Sequence, residues 1–380
     1  MKDVMPDQKP PRAEVVVDLD AIRHNVALLA ARAAGAATMA VVKADAYGHG
    51  ALPVARAALA AGAGWLGSCS LAEALALRAG GITAPVLSWL DTVDTDLAPG
   101  VAADVDLSAS SVRELAAVVA AARAADRTAR VHLKIDTGLS RNGCPADRWP
   151  DLVDTAAKAQ SDGHVEVVAV WSHLACADEP GHPSIDRQAA RFATAYDVAV
   201  AAGLRPLRHL ANSAATLSRP DLHFDLVRVG IAMYGLNPLP PSSSQREDLR
   251  PAMTFRSSVA LTKRVAAGES VSYGHTWTAE EDTTLALVPV GYADGVSRAL
   301  SGRMDVWLAG RRRPIVGRVC MDQLVVDCGD DAVADGAEVV LFGAGTLGEP
   351  TATEWADVLD TIDYEVVTGM YRPRITRSYR

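Results

Sequence analysis

From about residue 36 to residue 235 the chain alternates between two textures. Short β-branched, apolar runs recur at 38–42, 65–68, 85–89, 103–107, 130–135, 165–172, 208–210 and 225–229, eight in all. Between most of them lie stretches rich in Ala, Leu and Arg with apolar positions at helical spacing, such as 52–61, 71–79 and 112–124. Strands alternating with helices predict parallel βα units. Eight such units close into an α/β (β/α)8 barrel, with a doubly wound open sheet as the structural alternative.

Near residue 237 the pattern changes. Asn-Pro-Leu-Pro-Pro-Ser-Ser-Ser-Gln-Arg-Glu-Asp (237–248) is a connector rich in Pro and Ser. Strand-like runs follow at 253–265, 283–289, 304–308, 315–320, 324–327 and 338–342, with one helical stretch at 352–359. The expected organisation is a disordered lead-in over 1–12, a TIM-like barrel over 13–240 and a mainly β domain over 241–380. The early strand at 13–18 is a candidate to pair with that second domain.

Composition narrows the function. The 380 residues are 49% hydrophobic, long enough for a barrel with an appended domain. A net charge of −9, from 37 basic and 46 acidic residues, excludes the basic footprint of a nucleic-acid binder. The five cysteines, Cys69, Cys144, Cys176, Cys320 and Cys328, are scattered and lack any C-x-x-C spacing. They read as free thiols of a reducing compartment, with no zinc site implied. The start of the chain has no apolar core of a secretory signal, and no apolar run reaches the ~18 residues of a membrane span. The expected location is the cytoplasm. Two G-x-G-x-x-G matches, 62–67 and 343–348, lack the βαβ context of a dinucleotide site.

In a barrel, chemistry sits at the C-terminal ends of the strands. The first run ends at Lys43, followed by Tyr47 and His49. The fifth carries Lys134 and Asp136 and runs on to Arg141; the sixth ends at His173. The seventh carries His209 and leads to Asn212 and Ser213, and the eighth contains Arg228 before Gly230. A lone lysine after a strand is more often a solvated loop residue, and a lone histidine more often a satisfied core residue. It is the joint placement that points to one polar mouth.

Several segments are specific: Ala-Val-Val-Lys-Ala-Asp-Ala-Tyr-Gly-His-Gly (40–50), Lys-Ile-Asp-Thr-Gly-Leu-Ser-Arg-Asn-Gly (134–143) and Trp-Ser-His-Leu-Ala-Cys-Ala-Asp (171–178). To these add His-Leu-Ala-Asn-Ser-Ala-Ala-Thr (209–216), Asp-Leu-Val-Arg-Val-Gly-Ile-Ala-Met-Tyr-Gly (225–235) and Val-Ser-Tyr-Gly-His-Thr (271–276). Pro-Val-Gly-Tyr-Ala-Asp-Gly (289–295), Arg-Val-Cys-Met-Asp-Gln (318–323) and Asp-Tyr-Glu-Val (363–366) complete the set. In their order and spacing the chain resembles the alanine racemase family, over nearly its whole length after the first dozen residues.

The resemblance implies a homodimeric, pyridoxal phosphate-dependent isomerase that interconverts L- and D-alanine and supplies D-alanine for peptidoglycan precursors. It implies that Lys43 carries the cofactor as a Schiff base and then serves as one catalytic base. The second base would be Tyr273, supplied by the partner subunit, because racemisation needs proton carriers on opposite faces of the α-carbon. His173 and Arg228, with His209 behind, would form the surrounding network. Arg228 would face the pyridine nitrogen, and Trp89 and Asn212 would lie near the cofactor. Tyr47, Ser213, Gly230, Ile231 and Tyr364 are implied for the phosphate. Arg141 and the Met321 N–H are implied for the substrate carboxylate, with Asp322 in support. Lys134 is implied to be carbamylated and to orient Arg141, and Tyr292 and Tyr364 to narrow the opening. Alternatives are a serine racemase, a pyridoxal decarboxylase on the same fold and a non-catalytic pyridoxal phosphate-binding protein. A decarboxylase would need an acidic partner in place of Arg228.

Overall fold

A computed structural model describes residues 12–380, so the lead-in read at 1–12 falls, except for Arg12, outside the described residues. The chain divides into two compact units. One comprises Asp20–Ala46 and Ala51–Arg250; the other gathers the chain up to Leu19, Tyr47–Gly50 and Pro251–Arg380. The first strand, β1 (Glu14–Val17), belongs to the second of these.

The first unit is an α/β barrel. Its strands are β2 (Ala37–Val41), β3 (Trp65–Ser68), β4 (Val86–Ser88), β5 (Val105–Ala109), β6 (Ala129–Lys134), β7 (Val165–Trp171), β8 (Leu207–His209) and β9 (Leu226–Val229). They are ordered β9-β2-β3-β4-β5-β6-β7-β8, and every neighbouring pair is parallel. Backbone bonds from Asp225 N–H to the Arg208 carbonyl (3.2 Å) and from Arg228 N–H to the Ala211 carbonyl (2.9 Å) bring the ends together. The strands are almost wholly buried because one face meets the helices and the other fills the interior. Met39, Leu87 and Leu226 pack together inside, with Trp65 and Trp89 against them.

The strand-to-helix turns are encoded locally. Ser70 and Ser111 each cap the following helix by accepting the N–H of the residue three further on, Glu73 and Glu114. The strand expected at 103–107 lies instead at 105–109. The short helix Ala98–Ala102, opened by Pro99, uses the preceding residues, and Asp104 makes the turn with φ 54°.

The second unit is mainly β. Its further strands are β10 (Met253–Ser258), β11 (Leu261–Val265), β12 (Ser270–Val271), β13 (Trp277–Thr278), β14 (Thr283–Val288), β15 (Asp305–Leu308), β16 (Arg311–Val316), β17 (Leu324–Asp327), β18 (Glu338–Phe342) and β19 (Thr376–Tyr379). Nine strands join in the order β11-β14-β17-β16-β15-β18-β10-β1-β19. Strand β1 lies antiparallel to β10 and parallel to β19. Its Glu14 carboxylate accepts from Arg256 Nε (2.7 Å) and Ser378 Oγ (2.6 Å), tying three strands together.

Two sequence expectations are corrected here. The run 253–265 is two strands, because the chain changes partners at its middle. Val259 N–H bonds the Ala337 carbonyl beside β18, whereas Ala260 N–H bonds the Leu287 carbonyl of β14. The strand expected at 315–320 begins at Arg311 and ends at Val316, where Gly317 turns with φ 67°. Its arginines disguised it, yet Arg313 is buried and donates to the carbonyls of Leu308 (2.9 Å) and Cys328 (2.8 Å).

Phe342 sits between Phe255 and Trp355, with ring centroids 6.0 and 5.1 Å away. Phe342→Ala is expected to cost about 3–5 kcal/mol by leaving a cavity there. Guanidinium denaturation of the two proteins, compared by midpoint at equal slope, measures it.

Candidate active site

Lys43 follows β2, half-buried, and opens an unusual segment. Ala44, Asp45, Ala46 and Tyr47 all have φ between 51° and 54°. Left-handed backbone costs roughly 1–2 kcal/mol per non-glycine residue, so four in succession must be held from outside. Ala46 N–H reaches the Val42 carbonyl at 2.8 Å, and Asp45 Oδ1 accepts Ala51 N–H at 2.7 Å. Lys43 is close enough for its charge to act on Cys69 and His173.

Arg228, on β9, is buried and fully engaged at its two terminal nitrogens. One donates to His209 Nδ1 (3.1 Å) and the His209 carbonyl (3.0 Å). The other donates to the carbonyls of Ser172 (2.8 Å) and Leu210 (3.1 Å) and to His173 Nδ1 (3.2 Å). Its guanidinium lies over Trp171, 5.0 Å from the ring centroid. Burial pushes it down to about 9, which leaves it a cation at neutral pH. Among the described residues, no hydrogen bond leaves its Nε.

Behind His209 the barrel interior continues the chain of contacts. His209 Nε2 lies 2.9 Å from His132 Nδ1, and His132 Nε2 lies 3.1 Å from Asp106. Arg130 Nε holds the same carboxylate at 2.8 Å. Burial works to raise the Asp106 carboxyl, but the hydrogen bond from His132 and the bond and charge of Arg130 outweigh it and hold it below the usual carboxylate range. Asp106 can only accept, so His132 donates from Nε2. A neutral His132 then accepts from His209 Nε2–H, and His209 accepts from Arg228. A charged His132 would force a proton onto His209 Nδ1, facing the arginine's own donors. Donor direction therefore runs from Arg228 to His209 to His132 to Asp106. Consistent with this, burial and then Arg228 push His209 well below its ordinary value. Burial does the same to His173, aided by Arg228, Arg141, Lys134 and Lys43.

Lys134, the last residue of β6, is pushed down to about 8 by burial, then by Arg228 and Arg141, against a weaker pull from Asp136. Its Nζ sits 4.2 Å over the Trp171 ring. Arg141 is exposed. Ser213 is buried and its Oγ accepts Gly230 N–H at 2.8 Å, so that N–H, expected at a phosphate, is already engaged. Asn212 caps the helix Ser213–Ser218 by accepting Ala215 N–H. Trp89 meets Trp171 at 6.0 Å and closes over Gly67, where an added Cβ would lie 2.5 Å from its ring.

The second unit holds the remaining candidates. Tyr47 and Tyr364 pair at 5.9 Å. Gly291 lets Tyr292 N–H and Ala293 N–H reach the carbonyls of Cys320 and Met321 (3.0 Å each); a Cβ there would fall 2.2 Å from the Cys320 oxygen. Tyr292 and Met321 are thus one local unit. Asp322 is held by Arg374 at 2.7 Å, and Arg12 bridges Asp294 and the Asp322 carbonyl. Tyr273 stands on a short turn and is 72% exposed. Back in the first unit, Ile231 begins a buried single turn after Gly230.

Sequence reasoning missed Glu73, Asp106 and His132. His132 had a signal: Arg130, His132 and Lys134 alternate on one strand, so they share a face.

The strand ends of this α/β barrel present Lys43, Lys134 and Arg228, with Arg141 in the loop after Lys134, so cationic side chains gather there in a chain of net charge −9. The family model for the alanine racemase N-terminal domain matches residues 17–238, and that for the C-terminal domain matches 252–379. Alanine racemase of Salinispora arenicola is 59% identical over 369 residues, covering 97% of this chain and 98% of its own. That of Mycolicibacterium smegmatis is 55% identical, covering 97% and 94%. Among solved structures, alanine racemase from the D-cycloserine producer Streptomyces lavendulae has a TM-score of 0.94 at 51% identity, covering 98% of both chains. The Bacillus anthracis enzyme with bound L-Ala-P has a TM-score of 0.87 at 35% identity, covering 99% of this chain and 96% of its own. The chain belongs to the alanine racemase family. Its activity is the family's isomerisation, and these matches do not favour a decarboxylase or a serine racemase. No helix among the described residues is long and apolar enough to cross a membrane, and none of their acidic, histidine and cysteine side chains group as a metal site.

Two outcomes are expected of the buried relay. Asp106→Ala should lower stability by about 3–5 kcal/mol, since Arg130 and His132 lose a buried partner; chemical denaturation at pH 7 checks it. His173 and His209 stay neutral when folded but take up protons when unfolded, so stability should fall as pH drops through about 6.5. The depressed Asp106 carboxyl contributes stability above about 3.9 that is lost below it. Denaturation midpoints that stay level from pH 7 to 5 would contradict the histidine assignment.

Proposed function

We propose that the chain racemises alanine with pyridoxal phosphate held at the barrel mouth, Lys43 and Tyr273 carrying the proton on opposite faces. One observation carries the reading: Lys43, Arg228 and Ser213 stand at the C-terminal ends of strands of one barrel in a chain of this family. The donor set fits the cofactor. Lys43 offers an amine, Arg228 keeps its Nε–H outside its described bonds, and Ser213, Ile231, Tyr47 and Tyr364 offer hydroxyl and backbone donors suited to a phosphate. When bound, pyridoxal phosphate supplies the electron sink that lets an amino acid's α-proton leave.

The chain's own residues divide the remaining work. Lys43 Nζ takes or returns the proton on one face. Tyr273 does so on the other, and its exposure supports delivery from a second copy in a homodimer. A phenol is a poor base at neutral pH, so it needs a cation and hydrogen-bond donors close by; Arg228 would supply the charge, with the neutral His173 beside it in the network. Arg228 keeps its proton, so it cannot pass one to a pyridine nitrogen, which weakens the sink and favours reprotonation over side reactions. Arg141 and the Met321 N–H hold the substrate carboxylate, with Asp322 keeping the Met321 turn in place. Trp89 and Asn212 shape the mouth, and Tyr292 and Tyr364 restrict its opening. Lys134 is carbamylated: its amine, about one-tenth neutral at pH 7 given a value near 8, adds to carbon dioxide and releases a proton. The resulting anion orients Arg141. The product, D-alanine, serves peptidoglycan precursors in the cytoplasm.

L-Alanine incubated with the holoprotein should lose its optical activity by chiral chromatography, with L-serine in parallel turning over far more slowly. Lys43→Ala should abolish the reaction, and Tyr273→Phe should slow it about 10²–10⁴-fold. Deuterium from solvent should then enter the two enantiomers unequally; symmetric loss would argue for a single base. Mixed Lys43→Ala and Tyr273→Phe chains should recover activity if the site is shared. Intact native mass should show Lys134 heavier by one carbon dioxide, and an unmodified chain would remove that role.

A further inference from the structure

Glu73 lies in the helix Leu71–Ala79, at the third position of its capping box. An ordinary capping glutamate turns back to its own helix start, and Glu73 does so: Oε2 accepts Cys69 N–H at 2.7 Å and Ser70 N–H at 3.3 Å. Its other oxygen does something a cap does not require. Oε1 accepts Ala44 N–H at 2.7 Å, on the residue directly after Lys43 and the first of the left-handed run. One half-buried carboxylate therefore ties the end of β3 to the end of β2.

Glu114 supplies the comparison within the same barrel. It occupies the equivalent position of the helix Val112–Ala125, with its N–H on Ser111 Oγ (3.1 Å) and its carboxylate on Ser110 N–H (2.6 Å). Among the described residues, no hydrogen bond carries it to a neighbouring strand end. The second arm of Glu73 is thus an addition to the cap, directed at a strand end whose backbone is left-handed through four residues without a glycine.

We infer that Glu73 is a positioning residue for Lys43. By holding Ala44 N–H it pins the left-handed turn at its first residue, and so fixes the direction in which the Lys43 side chain leaves the backbone. This rests on Lys43 being the reactive amine; the hydrogen-exchange arm of the test does not.

The test compares Glu73→Gln with Glu114→Gln. A glutamine keeps the size but loses the charge that strengthens both contacts, and its amide nitrogen cannot accept. In the cofactor-free chain, amide exchange at Ala44 should rise about tenfold or more in E73Q and stay within about twofold of the parent in E114Q. Uptake of pyridoxal phosphate, followed by intact mass after borohydride reduction, should slow about tenfold in E73Q alone, with kcat for alanine falling and KM holding. Equal Ala44 exchange in the two variants overturns the inference. Label trapped at a residue other than Lys43 overturns instead the reading of Lys43. Should E73Q not fold, Glu73→Asp keeps the charge but is one methylene short of bridging both ends; unchanged Ala44 exchange there overturns the inference equally.

Discussion

A guanidinium buried at the end of a barrel strand has to be matched on every side, and Arg228 organises much of this molecule through that requirement. Its two terminal nitrogens are met by three carbonyls and two imidazoles. Those carbonyls, of Ser172, His209 and Leu210, stand at the ends of two neighbouring strands, so the cation also fixes where the strands finish. The charge itself is answered at a distance. Hydrogen bonds through His209 and His132 reach Asp106, whose carboxylate is in turn held by Arg130. A buried ion with one absent neighbour is costly, so each member makes the next obligatory.

The same field explains the states of the groups around it. Burial, and after it a neighbouring cation, is why Lys134 falls to about 8 and why His173 and His209 remain neutral. Burial leads in each case, and Arg228 follows it. An amine lowered in this way and imidazoles kept free of charge mark a cluster whose protonation is set by its surroundings. The strained turn after Lys43 adds a geometric constraint to this electrostatic one. Four left-handed residues give the lysine a direction that an ordinary strand-to-helix turn would not.

The barrel was legible because its strands are apolar runs separated by helical stretches, and burial on both faces keeps polar residues out of them. The exceptions were the informative positions: Lys134, His209 and Arg228 interrupt apolar runs at their C-terminal ends. The second unit was less legible. Strand β16 is hidden by Arg311, Arg312 and Arg313, whose partners Asp331, Glu354 and the Cys328 carbonyl lie outside the strand, and β19 is polar because it lies at the sheet edge. A continuous apolar run, 253–265, concealed a corner where the chain changes partners.

By itself the sequence determined the order of elements, the polar residues at strand ends and, through long motifs, the family. Periodicity and local capping carry the first, and residue type carries the others. Only the tertiary structure decided which polar residues meet. Asp106 and His132 look like isolated polar positions in a strand until closure of the barrel stacks β5, β6 and β8 around Arg228. Gly230 and Asn212 look free for a ligand until Ser213 and a helix cap engage them. Glu73 reads as a cap until the left-handed turn brings Ala44 to its second oxygen. Such pairings depend on strand register and barrel closure, and neither is written in the spacing of residues along the chain.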